Sequence, residues 1–97
     1  MRRPKVTTRS AFAIFTITLC EGLVPAWHDE HGLPVTYSTE REAQLEIVDE
    51  LIEKLRQFIA GQRPLADVLT IEDFILPVEV FPDGTTQTED GRRFGKH

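Results

Sequence analysis

Residues 39–61 read TEREAQLEIVDELIEKLRQFIAG, and the reading of this stretch decides the fold class. Leu45, Val48, Ile52, Leu55 and Ile59 recur at alternating steps of three and four. That spacing lines side chains up on one face of an α-helix. Ile47, Leu51 and Phe58 widen the apolar stripe to about 160° on a helical wheel. Glu46, Asp49, Glu50, Glu53 and Arg56 occupy the opposite face. Both ends carry signals. Thr39 is an N-cap with Glu42 placed for a capping box, and Glu40 and Glu42 suit the positive end of the helix dipole. Gly61 follows the last apolar residue, where a left-handed C′ residue is favoured. The spacing predicts a helix from about Glu40 to Ala60.

Upstream, the period changes from helical to twofold. Ala13, Phe15, Ile17 and Leu19 alternate with Ile14, Thr16 and Thr18, which predicts a strand with three β-branched residues on one face. A basic start, an apolar run from Ala11 to Cys20 and Val24-Pro25-Ala26 also resemble a secretory leader. The alternation, the interspersed threonines and Glu21 favour the strand. Leu23–Trp27 and Leu33–Tyr37 flank the polar loop His28-Asp29-Glu30-His31-Gly32 and read as a hairpin. Pro25 and Pro34 each lack an N–H, so both arms are expected at edges or strand ends.

Downstream of the helix, Leu65–Leu69 reads as one helical turn. Phe74–Phe81 reads as a strand with Phe74, Leu76, Val78 and Val80 on one face, and Pro77 assigns it to an edge or a bulge. Pro82-Asp83-Gly84 is a turn in which Pro presets φ and Gly accepts a positive one. A polar strand, Thr85–Thr88, follows, then a second turn at Glu89-Asp90-Gly91. The sum is an α+β domain over residues 1–97: an antiparallel sheet of three to five strands packed against one long amphipathic helix. The stripe is wide for one small sheet. Homodimerisation therefore stays open, with Ile47, Leu51 and Phe58 as the residues a second copy would cover.

The chain has 97 residues, of which 40% are hydrophobic and 28% charged. That composition is globular rather than disordered. Size scaling has such a chain bury about 65% of its unfolded surface, enough for one modest core. No run approaches the ~20 apolar residues of a membrane helix. The single cysteine, Cys20, excludes an internal disulfide and fits a reducing, cytoplasmic setting. The net charge of -5 is unevenly spread. Arg2, Arg3, Lys5 and Arg9 make residues 1–9 basic, and Arg92, Arg93 and Lys96 do the same for residues 92–97. Between them, four bases stand against all sixteen acids, a balance of -12.

Each cluster with chemical capacity has a plainer reading beside it. His28, Asp29, Glu30 and His31 are potential ligands, but zinc needs three or four donors arranged tetrahedrally, and a polar hairpin tip is the simpler account. No metal, cofactor or catalytic residue is expected. Cys20 lacks an orienting acid or an oxyanion-hole pattern and reads as a small buried hydrophobe. Glu72-Asp73 reads as two solvated acids rather than an acid/base pair. Trp27 and Tyr37 read as packing aromatics.

Gly32-Leu-Pro-Val-Thr-Tyr37-Ser-Thr39-Glu-Arg-Glu42-Ala43 and Val78-Glu-Val-Phe-Pro82-Asp-Gly84, with Glu89-Asp-Gly91-Arg-Arg-Phe94 after them, resemble small uncharacterised bacterial proteins carried by phages and mobile elements. The resemblance runs from Gly32 to Lys96 and implies no activity and no catalytic residue. It implies a host-directed or counter-defence role. Small anti-CRISPR proteins are similar in size and charge but share no motif with this chain.

Three functions follow from these readings. The leading one is a non-enzymatic acidic interaction protein that blocks or regulates a basic, nucleic-acid-handling partner through Glu46, Asp49, Glu50 and Glu53 and the loop acids Asp29 and Glu30. The second is a nucleic-acid-binding accessory protein gripping phosphates with Arg2, Arg3, Lys5, Arg9, Arg92, Arg93 and Lys96. The acid-lined helix and the lack of aromatic residues interleaved with bases count against it. The third is a small enzyme or metal protein centred on Cys20, His28 and His31. No membrane partner is expected.

Overall fold

The computed structural model describes residues 7–70 and 72–95. Arg2, Arg3, Lys5 and Lys96, named above as phosphate contacts, lie outside that range. The elements run β1 (Arg9–Thr18), β2 (Gly22–Pro25), β3 (Thr36–Tyr37), α1 (Glu40–Ile59), α2 (Leu65–Leu69), β4 (Phe74–Val80), β5 (Thr86–Thr88) and β6 (Arg93–Phe94). This is the expected α+β class, with an antiparallel sheet and one long helix. The sheet reaches six strands in the order β2-β1-β4-β5-β6, with β3 also paired to β1.

β1 is the spine of the sheet. One side of it pairs with β4 along its length, from Arg9 opposite Val80 to Phe15 opposite Phe74. The other side is shared: β2 takes Phe15–Thr18 and β3 takes Phe12 and Ala13. The hairpin expected between residues 23 and 37 is therefore only partly present. His28 bridges Pro34, and Val35 N–H donates to the Trp27 carbonyl at 3.2 Å. The longer ladder, however, is between β2 and β1 across a turn at residues 19–21. Pro25 sits on an edge strand, as its missing N–H requires.

The core lies on one face of this sheet. Ala11, Ala13 and Phe15 of β1 join Val78 and Val80 of β4, with Leu23, Phe74, Leu76 and Phe94 packed around them. Phe15 is fully buried, and its ring meets Phe94 at a centroid distance of 5.4 Å and an interplanar angle of 59°. The alternation in β1 stops early. Ile17 is 67% exposed and Leu19 wholly so. Beyond Phe15 the strand is paired on the β2 side only, as it leaves the centre of the sheet. Ile14, on the opposite face, is buried as well, on the side α1 covers with Ala43.

β4 is not the edge strand that Pro77 suggested; it lies between β1 and β5. The proline is tolerated because β5 pairs only with Val78, Glu79 and Val80. Pro77 sits just past the end of that ladder, where a missing N–H costs no sheet bond.

Two successive hairpins close the sheet with the same turn chemistry. Gly84 N–H donates to the Phe81 carbonyl at 2.9 Å and Phe81 N–H to the Thr85 carbonyl at 2.8 Å. Gly91 N–H donates to the Thr88 carbonyl at 3.0 Å and Thr88 N–H to the Arg92 carbonyl at 2.9 Å. Each is a tight turn followed by a residue of positive φ, 88° at Gly84 and 90° at Gly91. That conformation favours glycine. The strand between them reads as polar yet is buried: Thr85, Thr86 and Thr88 are at most 6% exposed. Thr85 and Thr88 hydroxyls bond to Asp83 and Asp90. The Thr86 hydroxyl has no hydrogen-bond partner among the described residues. A buried unpaired hydroxyl carries a desolvation penalty. Thr86→Val, nearly the same shape, is therefore expected to stabilise the fold by about 1 kcal/mol. A thermal or urea denaturation curve checks this; an unchanged or lower midpoint contradicts it.

Candidate functional site

The helix forms as its sequence dictates. Thr39 Oγ1 accepts from Glu42 N–H at 3.1 Å, and Glu42 Oε2 accepts from Ser38 N–H at 3.3 Å, one residue before the usual capping-box position. At the other end Gln62 N–H donates to the Gln57 carbonyl at 2.8 Å and Gly61 N–H to the Phe58 carbonyl at 3.0 Å. This is a Schellman ending, with Gly61 at the left-handed position. Both ends of the 20-residue helix are thus capped.

It buries little of that stripe. Ala43 is the one fully buried residue of α1. Ile47, Glu50, Leu51, Lys54 and Gln57 are half-buried on the same side, facing α2 and the loop beyond it. The expected core residues stand outward: Leu45 is 48% exposed, Val48 46%, Ile52 40%, Leu55 41%, Phe58 41% and Ile59 82%. On a helical wheel the centre of the Leu45–Ile59 ridge lies about 140° from the docked edge. Ile47 and Leu51 are partly covered by the described chain, and the heptad residues stand more open. A strict three-four spacing also describes a coiled-coil seam, and that signal in the sequence could have identified the ridge.

The acids of α1 divide accordingly. Glu46, Asp49 and Glu53 are exposed along one border of the ridge, while Glu50 is half-buried and turns toward α2. Glu53 lies 3.8 Å from Arg56 one turn on. Asp29 and Glu30 sit on a separate loop, which Asp29 organises by accepting from His31 N–H at 2.8 Å and Leu33 N–H at 3.0 Å. Those two backbone donors hold the Asp29 carboxyl below the usual carboxylate range.

The other candidates are placed differently from a working site. Between α1 and α2 lies an open cleft of about 430 Å³, lined by Lys54, Arg63, Glu50, Asp67, Glu72 and Asp73 among others. Arg63 is committed to Gln57 at 2.7 Å and lies 3.9 Å from Asp67. Asp73 is pushed up by burial, against the pull of Lys54. Arg63 thus ties α2 to α1 through polar contacts. Cys20, expected to be buried, is exposed in the turn after β1. His31 lies 3.5 Å from Glu30, and no three metal-binding side chains gather among the described residues.

The basic C-terminal residues are engaged within the chain. Arg93 donates to Thr85 Oγ1 at 2.9 and 3.1 Å, lies 3.9 Å from Asp83 and stacks 3.6 Å above the Phe81 ring. Arg92 pairs with Asp90 at 3.1 Å. These contacts fasten the twin hairpins together and occupy part of the guanidinium donors of both residues.

No protein-family model, curated protein or solved structure matches this chain. Among the described residues no helix is long and apolar enough to cross a membrane. The surface that stands out is the apolar ridge of α1 with its acidic border.

Proposed function

We propose that this chain is a non-enzymatic interaction protein whose binding element is α1. One observation carries the reading: six large apolar residues on one helix, Leu45, Val48, Ile52, Leu55, Phe58 and Ile59, stand 40% or more exposed. Scattered exposed hydrophobes are ordinary, but a contiguous ridge of them marks a contact surface. Its rim is acidic. Glu46, Asp49 and Glu53 give the helix a negative border that suits a basic partner, the kind of surface nucleic-acid-handling proteins carry. The mode of action is occlusion: the acidic helix takes the place of the partner's own anionic ligand.

The experiment is capture from a lysate of the source cells on the immobilised full chain, beside a Glu46→Lys, Glu53→Lys variant. Both positions are exposed, so the variant is expected to keep the native circular dichroism spectrum and melting temperature. A basic protein retained by the native chain and lost from the variant supports the reading. Equal retention by both, or none by either, overturns it.

A further inference from the structure

We infer that the apolar ridge of α1 is covered by a second copy of this chain, with the two helices antiparallel. The inference rests on the reading of α1 as the binding element and names what occupies its apolar face.

The ridge follows a coiled-coil repeat over two heptads. Leu45, Ile52 and Ile59 take one core position, and Val48 and Leu55 the other. Among the described residues α1 docks by its half-buried edge facing α2, on the far side of the helix from this ridge. On a scale of roughly 200 Å² for a large exposed side chain, the exposed fractions of these five residues and the adjoining Phe58 amount to about 600 Å² of apolar surface per chain. Two copies bury up to about 1,200 Å², the lower limit for a specific interface. A marginal area predicts a dimer that dissociates on dilution.

Charge fixes the direction and the register. The positions flanking the seam are Asp49 and Arg56 on one side and Gln44, Leu51 and Phe58 on the other. A parallel pair sets each charged flank against an uncharged one and gains nothing. An antiparallel pair sets like flank against like. With Ile52 opposite Leu55 of the second copy, and Val48 opposite its Ile59, Asp49 meets Arg56 twice by symmetry. The other flank then brings Leu51 against Phe58. Sliding the helices by one heptad either way opposes Asp49 to Asp49 or Arg56 to Arg56, which is repulsive. The favoured register also leaves Glu46 and Glu53 pointing outward, so the dimer carries two acidic strips and its apolar ridge is dry.

The test is sedimentation equilibrium of the purified full chain across the micromolar range. The native chain is expected to approach twice its 11.1 kDa mass. Ile52→Asp, at a position open to solvent in the single chain, is expected to sediment as a monomer with unchanged circular dichroism. Asp49→Arg sets arginines against each other and is expected to weaken association roughly tenfold. Asp49→Arg with Arg56→Asp restores it. A native chain that stays at 11.1 kDa overturns the inference, and so does a dimer indifferent to Ile52→Asp or to Asp49→Arg. A monomer that still captures a partner through Glu46 and Glu53 removes the dimer alone. A dimer whose captures ignore those two acids removes the functional reading alone.

Discussion

Phe15→Ala is expected to destabilise the domain by about 3–5 kcal/mol, whereas Ile17→Ala, two residues along the same strand, is expected to change it by less than about 0.5 kcal/mol. By strand alternation the two side chains belong to one face, so the sequence alone ranks them together. Their surroundings differ completely. Phe15 has no exposed surface and packs among Ala11, Ala13, Val78, Val80 and Phe94. Removing its ring deletes buried apolar area and leaves a cavity that a rigid sheet cannot close. Ile17 is 67% exposed and already has water for a neighbour. A small domain holds a total stability of about 5–15 kcal/mol, so Phe15→Ala removes a large share of it. Urea denaturation of both variants measures the difference; similar losses in the two would refute the placement of the core.

The second large effect concerns the twin hairpins. Gly84→Val is expected to cost about 2–3 kcal/mol, and Gly91→Val about 1–2 kcal/mol. Both glycines close the same kind of turn at nearly the same φ, so the backbone strain imposed by a side chain is common to both. They differ in what a side chain meets. A Cβ on Gly84 comes within 2.4 Å of Leu33 Cδ1, while one on Gly91 meets nothing within 4 Å. Leu33 lies in the 28–34 loop, so the excess cost at Gly84 measures how firmly that loop rests on the β4–β5 turn. Relative melting midpoints of the two variants decide it, and equal losses would mean that Leu33 moves aside freely.

Local features of this fold were open to reading in the sequence wherever the cause was itself local. The helix ends at Thr39 and Gly61 follow from side-chain capping and a left-handed residue. The turns at Asp83-Gly84 and Asp90-Gly91 follow from glycine's freedom at positive φ. Each is decided within five or six residues and survives any tertiary arrangement. The misplacements have the opposite character. Pro77 marks an edge only if a strand pairs on its N–H side at that residue, and the length of β5, set elsewhere in the chain, removes the conflict. Thr86 and Thr88 look like surface residues by composition, but pairing with β4 places them in the buried part of the sheet. Arg92 and Arg93 look like free charges until Asp83, Asp90 and Phe81 are brought beside them by the turns.

The candidate site shows the same division. The periodicity of residues 45–59 establishes that one face of α1 is apolar and that acids border it, because a helix fixes the angular position of each side chain regardless of its neighbours. It does not establish what that face touches. The sequence reading assigned the ridge to the core, since burial against the domain's own sheet is the usual fate of an amphipathic stripe. The tertiary structure docks the helix by its Ala43–Leu51 edge and leaves Leu45, Val48, Ile52, Leu55 and Ile59 open. The sequence by itself therefore determined the helix, its capped ends, its charge layout and the turns. Only the tertiary structure decided which face of that helix is spare, because burial is a property of distant segments meeting and periodicity records only which side chains lie together.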